Sequence, residues 1–190
     1  MSRPRELFST FTTHKILKVE PIPNIQRFCF TLINHEPEPN VITSFYLPMD
    51  YTLVLARRID VLATQHVFGG TLGTKENNHL VMVRVGGGKP SQKDADYEIE
   101  ARQLIVEYQH ALKEPFHIVI TNGPGTRTEE GRIKPIDEEN QIELEMSINA
   151  DEAQRLSLAI HFYIQDLIKR ENVKKIFQTK RSLETNAENE

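Results

Sequence analysis

Val41-Ile-Thr-Ser-Phe-Tyr-Leu-Pro-Met-Asp50 and Ile142-Glu-Leu-Glu-Met-Ser-Ile-Asn-Ala-Asp151 share one pattern, 101 positions apart. In each, an alternating segment runs directly into residues with helical spacing. Aligned on Asp50 and Asp151, Phe45 falls on Met146, Leu47 on Ile148, Leu55 on Leu156, Ile59 on Ile160 and Leu62 on Tyr163. Few identities are shared. What repeats is hydrophobic phase, period 2 and then period 3.6, which is the property that decides which face of a strand or helix is buried. The chain therefore reads as a structural repeat.

Outward from the first copy, His14–Glu20 alternates as a short strand that stops at Pro21-Ile-Pro23, and Asn24–Asn34 is a stronger strand rich in β-branched and aromatic residues. On it Phe28, Phe30 and Leu32 share one face and Arg27, Cys29 and Thr31 the other. A turn at His35–Asn40 leads to the strand Val41–Leu47. A helix follows, with Asp50 as its expected N-cap and Tyr51, Val54, Leu55, Ile59 and Leu62 on its apolar face.

Outward from the second copy, Leu80–Val85 and Phe116–Thr121 read as strands. Asn122-Gly-Pro-Gly125 reads as a turn, and Thr126–Asn140 as a charged connection. Tyr97–Leu112 is ambiguous. Its composition favours a helix, while Arg102, Leu104, Val106 and Tyr108 alternate as a strand would, and the repeat tips the reading to strand. Asp151 is the expected cap of a long final helix, with disorder expected from Ser182 onward.

The expected fold is α+β, with two strands-then-helix units, antiparallel sheets each packed by a helix, and a pseudo-twofold repeat. The expected divisions are an N-terminal arm (1–13), a first unit (14–67), a linker (68–79), a second unit (80–170) and a basic helix extension with a disordered tail (171–190).

Composition bounds the chemistry. The 190 residues are 38% hydrophobic and 26% charged, with a formal net charge of −4, an ordinary globular balance. Mild acidity argues against a surface coated in positive charge but leaves room for a basic patch. The single cysteine, Cys29, rules out an intramolecular disulfide and a cysteine-based zinc site, and its setting between Phe28 and Phe30 suits a small buried hydrophobe. No apolar run approaches the ~20 residues of a membrane span. The N-terminus lacks the apolar stretch of a secretory signal, so a cytoplasmic location with no membrane partner is expected.

No catalytic motif stands out, and the chain reads as non-enzymatic, with no cofactor and no metal. Gly86-Gly-Gly-Lys-Pro90 lacks Walker-loop spacing, and the seven histidines form no metal-binding pair of helical spacing. The carboxylates Asp94, Asp96, Glu98 and Glu100, like Asp137, Glu138 and Glu139, read as solvated faces. The positive signal is basic and aromatic residues on strands and at their ends. Lys18, Arg27, Arg84, Lys89, Arg102 and Arg127 are candidate phosphate contacts, and Tyr46 and Tyr97 candidate stacking rings.

The strands-then-helix unit, used twice, resembles the Whirly proteins and, more distantly, the Pur-alpha repeats. The likeness is best over His14–Leu62 and over Ile142–Ile164. It implies binding of single-stranded DNA or RNA and a homo-oligomer. The basic Lys-Gly-Lys-Ala-type strand motif of plant Whirly proteins is absent, and the connection from Leu80 to Gln141 is long and acidic for that family, so no binding residue carries over. Two other readings stand beside this one. One is an interaction or oligomerisation scaffold using the amphipathic C-terminal helix. The other is a metal-dependent enzyme using the acidic residues near 94–100.

Overall fold

The computed structural model describes residues 6–36, 38–68, 78–90, 96–136 and 139–187, with side chains through 172 apart from that of Asn78. Four strands, β1 (Phe8–Phe11), β2 (Lys15–Ile22), β3 (Arg27–Asn34) and β4 (Val41–Pro48), form an antiparallel sheet in sequence order and lead into α1 (Met49–Phe68). In the second half, β5 (Asn78–Gly88), β6 (Glu100–Gln109) and β7 (Phe116–Arg127) pair antiparallel in sequence order. The far edge of β7 is shared. Phe116–Asn122 pairs with β9 (Ile142–Ile148), and Gly125–Arg127 pairs with the short β8 (Ile133–Pro135). The helix α2 (Ala150–Ala187) follows β9. Over the described residues the fold is α+β, with two antiparallel sheets and two α-helices.

Alternation decides the sheets. Leu17 and Val19 of β2, Phe28, Phe30 and Leu32 of β3 and Phe45 and Leu47 of β4 are buried on one face. Leu104, Val106 and Tyr108 of β6, Phe116, Ile118 and Ile120 of β7 and Met146 and Ile148 of β9 do the same in the second sheet. These residues join Leu55, Ala56, Ile59 and Ala63 of α1 and Ala153, Leu156, Ile160 and Ile164 of α2 in one continuous core. The aligned pairs Phe45/Met146, Leu47/Ile148, Leu55/Leu156 and Ile59/Ile160 are buried in both copies.

The ambiguous segment is a strand. Pairing along both edges, to β5 and β7, satisfies its backbone, and alternation puts its apolar residues in the core, which outweighs its helix-favouring composition. Other expectations are corrected. The N-terminal arm contains β1, a four-residue strand registered on β2. Asn122-Gly-Pro-Gly125 continues β7 and makes no turn: a Cβ on Gly125 would stand 2.6 Å from the Ala101 amide nitrogen, so this glycine marks close backbone approach. The charged connection contains β8. The last helix runs on through Ala187, where disorder was expected from Ser182, because no Gly or Pro interrupts a run of helix-forming residues. Residues 69–77 of the expected linker lie outside the described residues.

The helix caps also differ from expectation. Asn149, not Asp151, caps α2: its Oδ1 accepts from the Glu152 amide at 2.9 Å, and its own amide donates to Glu152 Oε2 at 3.0 Å, a reciprocal capping box. Asp50 lies inside the first turn of α1, where its charge complements the helix dipole.

Candidate nucleic-acid interface

The odd-numbered residues of β3 and the even-numbered residues of β4 face away from the core, which puts Arg27, Cys29, Ser44 and Tyr46 on the outer side of the first sheet. There β4 is an edge strand, and it packs against β7, β6 and β9 of the second sheet, with the Phe45 ring reaching Gly86 of β5. The junction leaves a cleft of about 310 Å³ lined by Arg27, Phe45, Tyr46, Gly86, Gly87, Gly88, Lys89 and Arg102.

One wall is bare backbone. A Cβ on Gly87 would lie 1.9 Å from the Glu100 carbonyl oxygen, so no other residue fits between β5 and β6 there. A Cβ on Gly88 meets nothing within 4 Å, and one on Gly86 would only touch the Phe45 ring at 3.7 Å.

Arg102 and Glu100 form a buried pair. Arg102 donates to Glu100 Oε2 through Nε at 2.9 Å and Nη2 at 2.5 Å, and Asn122 Nδ2 donates to Glu100 Oε1 at 3.1 Å. Through Nη1, Arg102 also reaches Ser44 Oγ at 3.3 Å, which ties the second sheet to the first. Its guanidinium carbon stands 5.2 Å from the centre of the Tyr46 ring, a cation–π arrangement. With Arg102 balanced by Glu100, the net positive charge of the cleft comes from Arg27 and Lys89. Neither makes an ion pair among the described residues.

Burial pushes the Tyr46 hydroxyl up from its ordinary pKa, with the neighbouring Cys29 adding to the effect and Arg102 opposing it. The Cys29 thiol is likewise pushed up, chiefly by burial, with hydrogen bonds to Thr31 and Tyr46 working against it. It is a buried protonated thiol, in keeping with a packing role.

Four of the eight candidate residues, Arg27, Tyr46, Lys89 and Arg102, thus meet in one cleft. The other four do not line it. Lys18 lies on the outer face of the first sheet, 3.6 Å from Glu6. Arg84 stacks over the Tyr51 ring of α1 at 3.6 Å. Arg127 is exposed at the far end of β7, beside β8. Tyr97 senses the charges of Glu100 and Arg102, although burial dominates the upward shift of its hydroxyl.

Glu100 and Asn122 were missed as site residues, and the reading of Glu100 as part of a solvated face is overturned by its burial. The available signal was the spacing Glu100-x-Arg102 at the head of the apolar face Leu104-x-Val106-x-Tyr108, which puts a charge pair on a buried side. Asp96 and Glu98 are exposed, whereas Asp94 lies outside the described residues. Among the described residues no cluster of His, Cys, Asp and Glu is arranged to hold a metal ion, and no helix is long and apolar enough to cross a membrane.

No protein-family model matches this chain, and no curated protein sequence matches it significantly.

Proposed function

We propose that the protein is a non-enzymatic binder of single-stranded DNA or RNA, with the junction cleft as the centre of its binding surface. The observation that carries this reading is that Arg27, Tyr46, Lys89 and Arg102, drawn from both halves of the chain, line one cleft, with Arg27 and Lys89 making no ion pair among the described residues. Arg27 and Lys89 contact phosphates, and Tyr46, held in place by Arg102, offers a ring to an unstacked base. The glycine wall lets a backbone or a flat base approach closely. A duplex keeps its bases stacked and paired, so the cleft favours single strands. The Whirly- or Pur-alpha-like relationship is part of the proposal, supported by the succession of four strands and a helix in the first half and the similar strands-then-helix order of the second. A cytoplasmic site of action is consistent with a single, unpaired cysteine.

Fluorescence anisotropy with labelled single-stranded DNA, single-stranded RNA and duplex DNA at two salt concentrations tests the reading. Binding that is tighter to single strands and weakens with salt supports it. No binding at low salt, where phosphate attraction is strongest, ends it.

A second reading has its own observation. Leu158 and Phe162, one turn apart on α2, are exposed, Phe162 by 66%, as is Ile168 further along. An apolar strip on a helix suits a homo-oligomer or scaffold contact. Sedimentation of the Phe162→Glu variant tests it, and an assembly state unchanged from the parent chain removes this strip from any interface.

A further inference from the structure

A second groove lies away from the cleft, along the seam between α1 and β5. Arg57, Arg58, Val61 and Leu62 of α1 face His79, Leu80 and Val81 of β5 across an open trough of about 520 Å³. β5 pairs with β6 on one edge only and is the edge strand of its sheet. Edge strands present unpaired backbone groups and act as templates for another extended chain unless they are blocked. Here the blocking is partial. A bulge between Leu80 and Met82 interrupts the ladder, and Arg58 Nη1 donates to the Val81 carbonyl at 2.7 Å, as a partner strand's amide would.

The trough combines apolar exposure with two guanidinium groups. Val61 is 53% exposed and Leu80 59% exposed, and none of the described lining residues is acidic. Arg57 and Arg58 make no ion pair among the described residues. Two described carboxylates are close by: Asp60, one turn from Arg57 on α1, and Glu107, which pairs with Leu80 across the strands of the sheet. Two guanidinium groups beside apolar side chains are complementary to a segment that carries both carboxylates and apolar residues. Nucleic acid is a poorer match. Among the described lining residues the aromatic group is the small His79 imidazole, with no Phe, Tyr or Trp, and the ring further along the seam, Tyr51, already has Arg84 stacked on it.

We propose that this seam is a docking groove for an extended acidic peptide of a partner protein. The peptide lies along the open edge of β5, its apolar residues cover Val61 and Leu80, and its carboxylates meet Arg57 and Arg58. The site is separate from the cleft and stands whether or not the cleft binds nucleic acid.

The test uses the full chain with a fluorescein-labelled peptide, Leu-Asp-Val-Asp-Leu-Asp-Val, and a counterpart with Lys in place of Asp. The acidic peptide is expected to bind about tenfold more tightly than the basic one, the scale of one charge-assisted hydrogen bond. Val61→Asp and Leu80→Asp, both at exposed positions, are expected to weaken it by a similar factor with unchanged thermal unfolding, as is Arg57→Ala. Arg27→Ala and Lys89→Ala are expected to leave peptide affinity unchanged. Equal affinity for the two peptides, no binding of either, or indifference to Val61→Asp and Leu80→Asp would overturn the proposal. Displacement of the peptide by an oligothymidylate would assign the groove to nucleic acid, and a dimer that Leu80→Asp dissociates without peptide would assign it to a second copy of the chain. Either result overturns it as well.

Discussion

Ser157 of α2 donates its hydroxyl to the carbonyl oxygen of Ala56 in α1 at 2.8 Å, and the two residues stand 101 positions apart, the spacing of the repeated pattern. Both are fully buried. Contact between equivalent positions of two units is the arrangement that a twofold axis passing between the helices would produce. Small residues at this point let the helices approach closely. Ser157→Ala is expected to cost about 1 kcal/mol, the usual net worth of one such hydrogen bond. Ser157→Leu is expected to cost more, about 1–3 kcal/mol from overpacking plus the lost bond. Urea denaturation of the two variants checks the order, and a leucine variant as stable as the parent would mean the helices do not meet here.

The cleft separates two kinds of binding loss. Arg27→Ala and Lys89→Ala are each expected to weaken single-strand binding and to lower the slope of log affinity against log salt by about 1, as removal of one phosphate contact does. Tyr46→Ala is expected to cost about 1–3 kcal/mol of binding and leave the slope alone, because stacking releases no counterions. Salt titrations of the three variants distinguish the roles. A tyrosine variant with a changed slope would argue against stacking.

The Glu100–Arg102 pair is expected to matter for stability first. Both side chains are nearly excluded from solvent. Removing one partner of a buried ion pair leaves the other uncompensated, at about 3–5 kcal/mol. Arg102→Ala should therefore unfold at a much lower denaturant concentration than Lys89→Ala, and replacing both members with apolar residues should recover part of the loss. Equal midpoints for Arg102→Ala and Lys89→Ala would contradict the burial of the pair.

Two neighbouring glycines give an internal control. Gly87→Ala is expected to distort the β5–β6 contact, since the new Cβ would overlap the Glu100 carbonyl, whereas Gly88→Ala meets open space. Circular dichroism melts should show a clear drop in Tm for the first and little change for the second.

Acid sensitivity should centre on Tyr108. Its buried hydroxyl lies 3.0 Å from His66 Nδ1 and 3.0 Å from His110 Nδ1, and His79 stacks on its ring. Burial, helped by the neighbouring His110, holds the His66 pKa below its ordinary value of 6.5. The fold thus prefers neutral His66. Its contribution is fully present above the unfolded value, about 6.5, and is lost as pH falls through the lower folded value. Tm measured from pH 8 to pH 5 should hold steady and then decline below about 6.5, and His66→Gln should flatten that decline. A decline of equal steepness in the variant would place the sensitive group elsewhere.

The strands and helices that carry long, unmixed periodicity were legible in the sequence. β3, β4, β9 and both helices follow from Phe28-x-Phe30-x-Leu32, Phe45-x-Leu47, Met146-x-Ile148 and the spacing Leu156, Ile160, Ile164. β1 was not, because Phe8-Ser-Thr-Phe11 is too short to show a period and is held by its pairing to β2. The far half of β7 was hidden by its glycines and proline, which signal turns locally and here permit close packing. Alternation placed Arg27 and Cys29 on one face of β3; the register to β4 that sets Tyr46 opposite Cys29 is not written in either strand alone. Which edge of one sheet meets the end of the other is a tertiary fact, and it separates Arg102 and Lys89, inside the cleft, from Arg84 and Lys18, outside it.

The capping box of α2 has a third member. Glu152 offers Oε2 to the Asn149 amide and Oε1 to the Thr10 hydroxyl of β1. A ribosome delivers Thr10 142 residues before Glu152, so this clasp waits for the start of α2. The clasp holds β1 at the sheet edge alongside its pairing to β2, so full protection of β1 is expected to wait for the start of α2. Pulsed hydrogen exchange during refolding should find the β1 amides protected in step with the start of α2 and after those of β2 and β3, whereas Glu152→Ala should leave β1 the first strand to open.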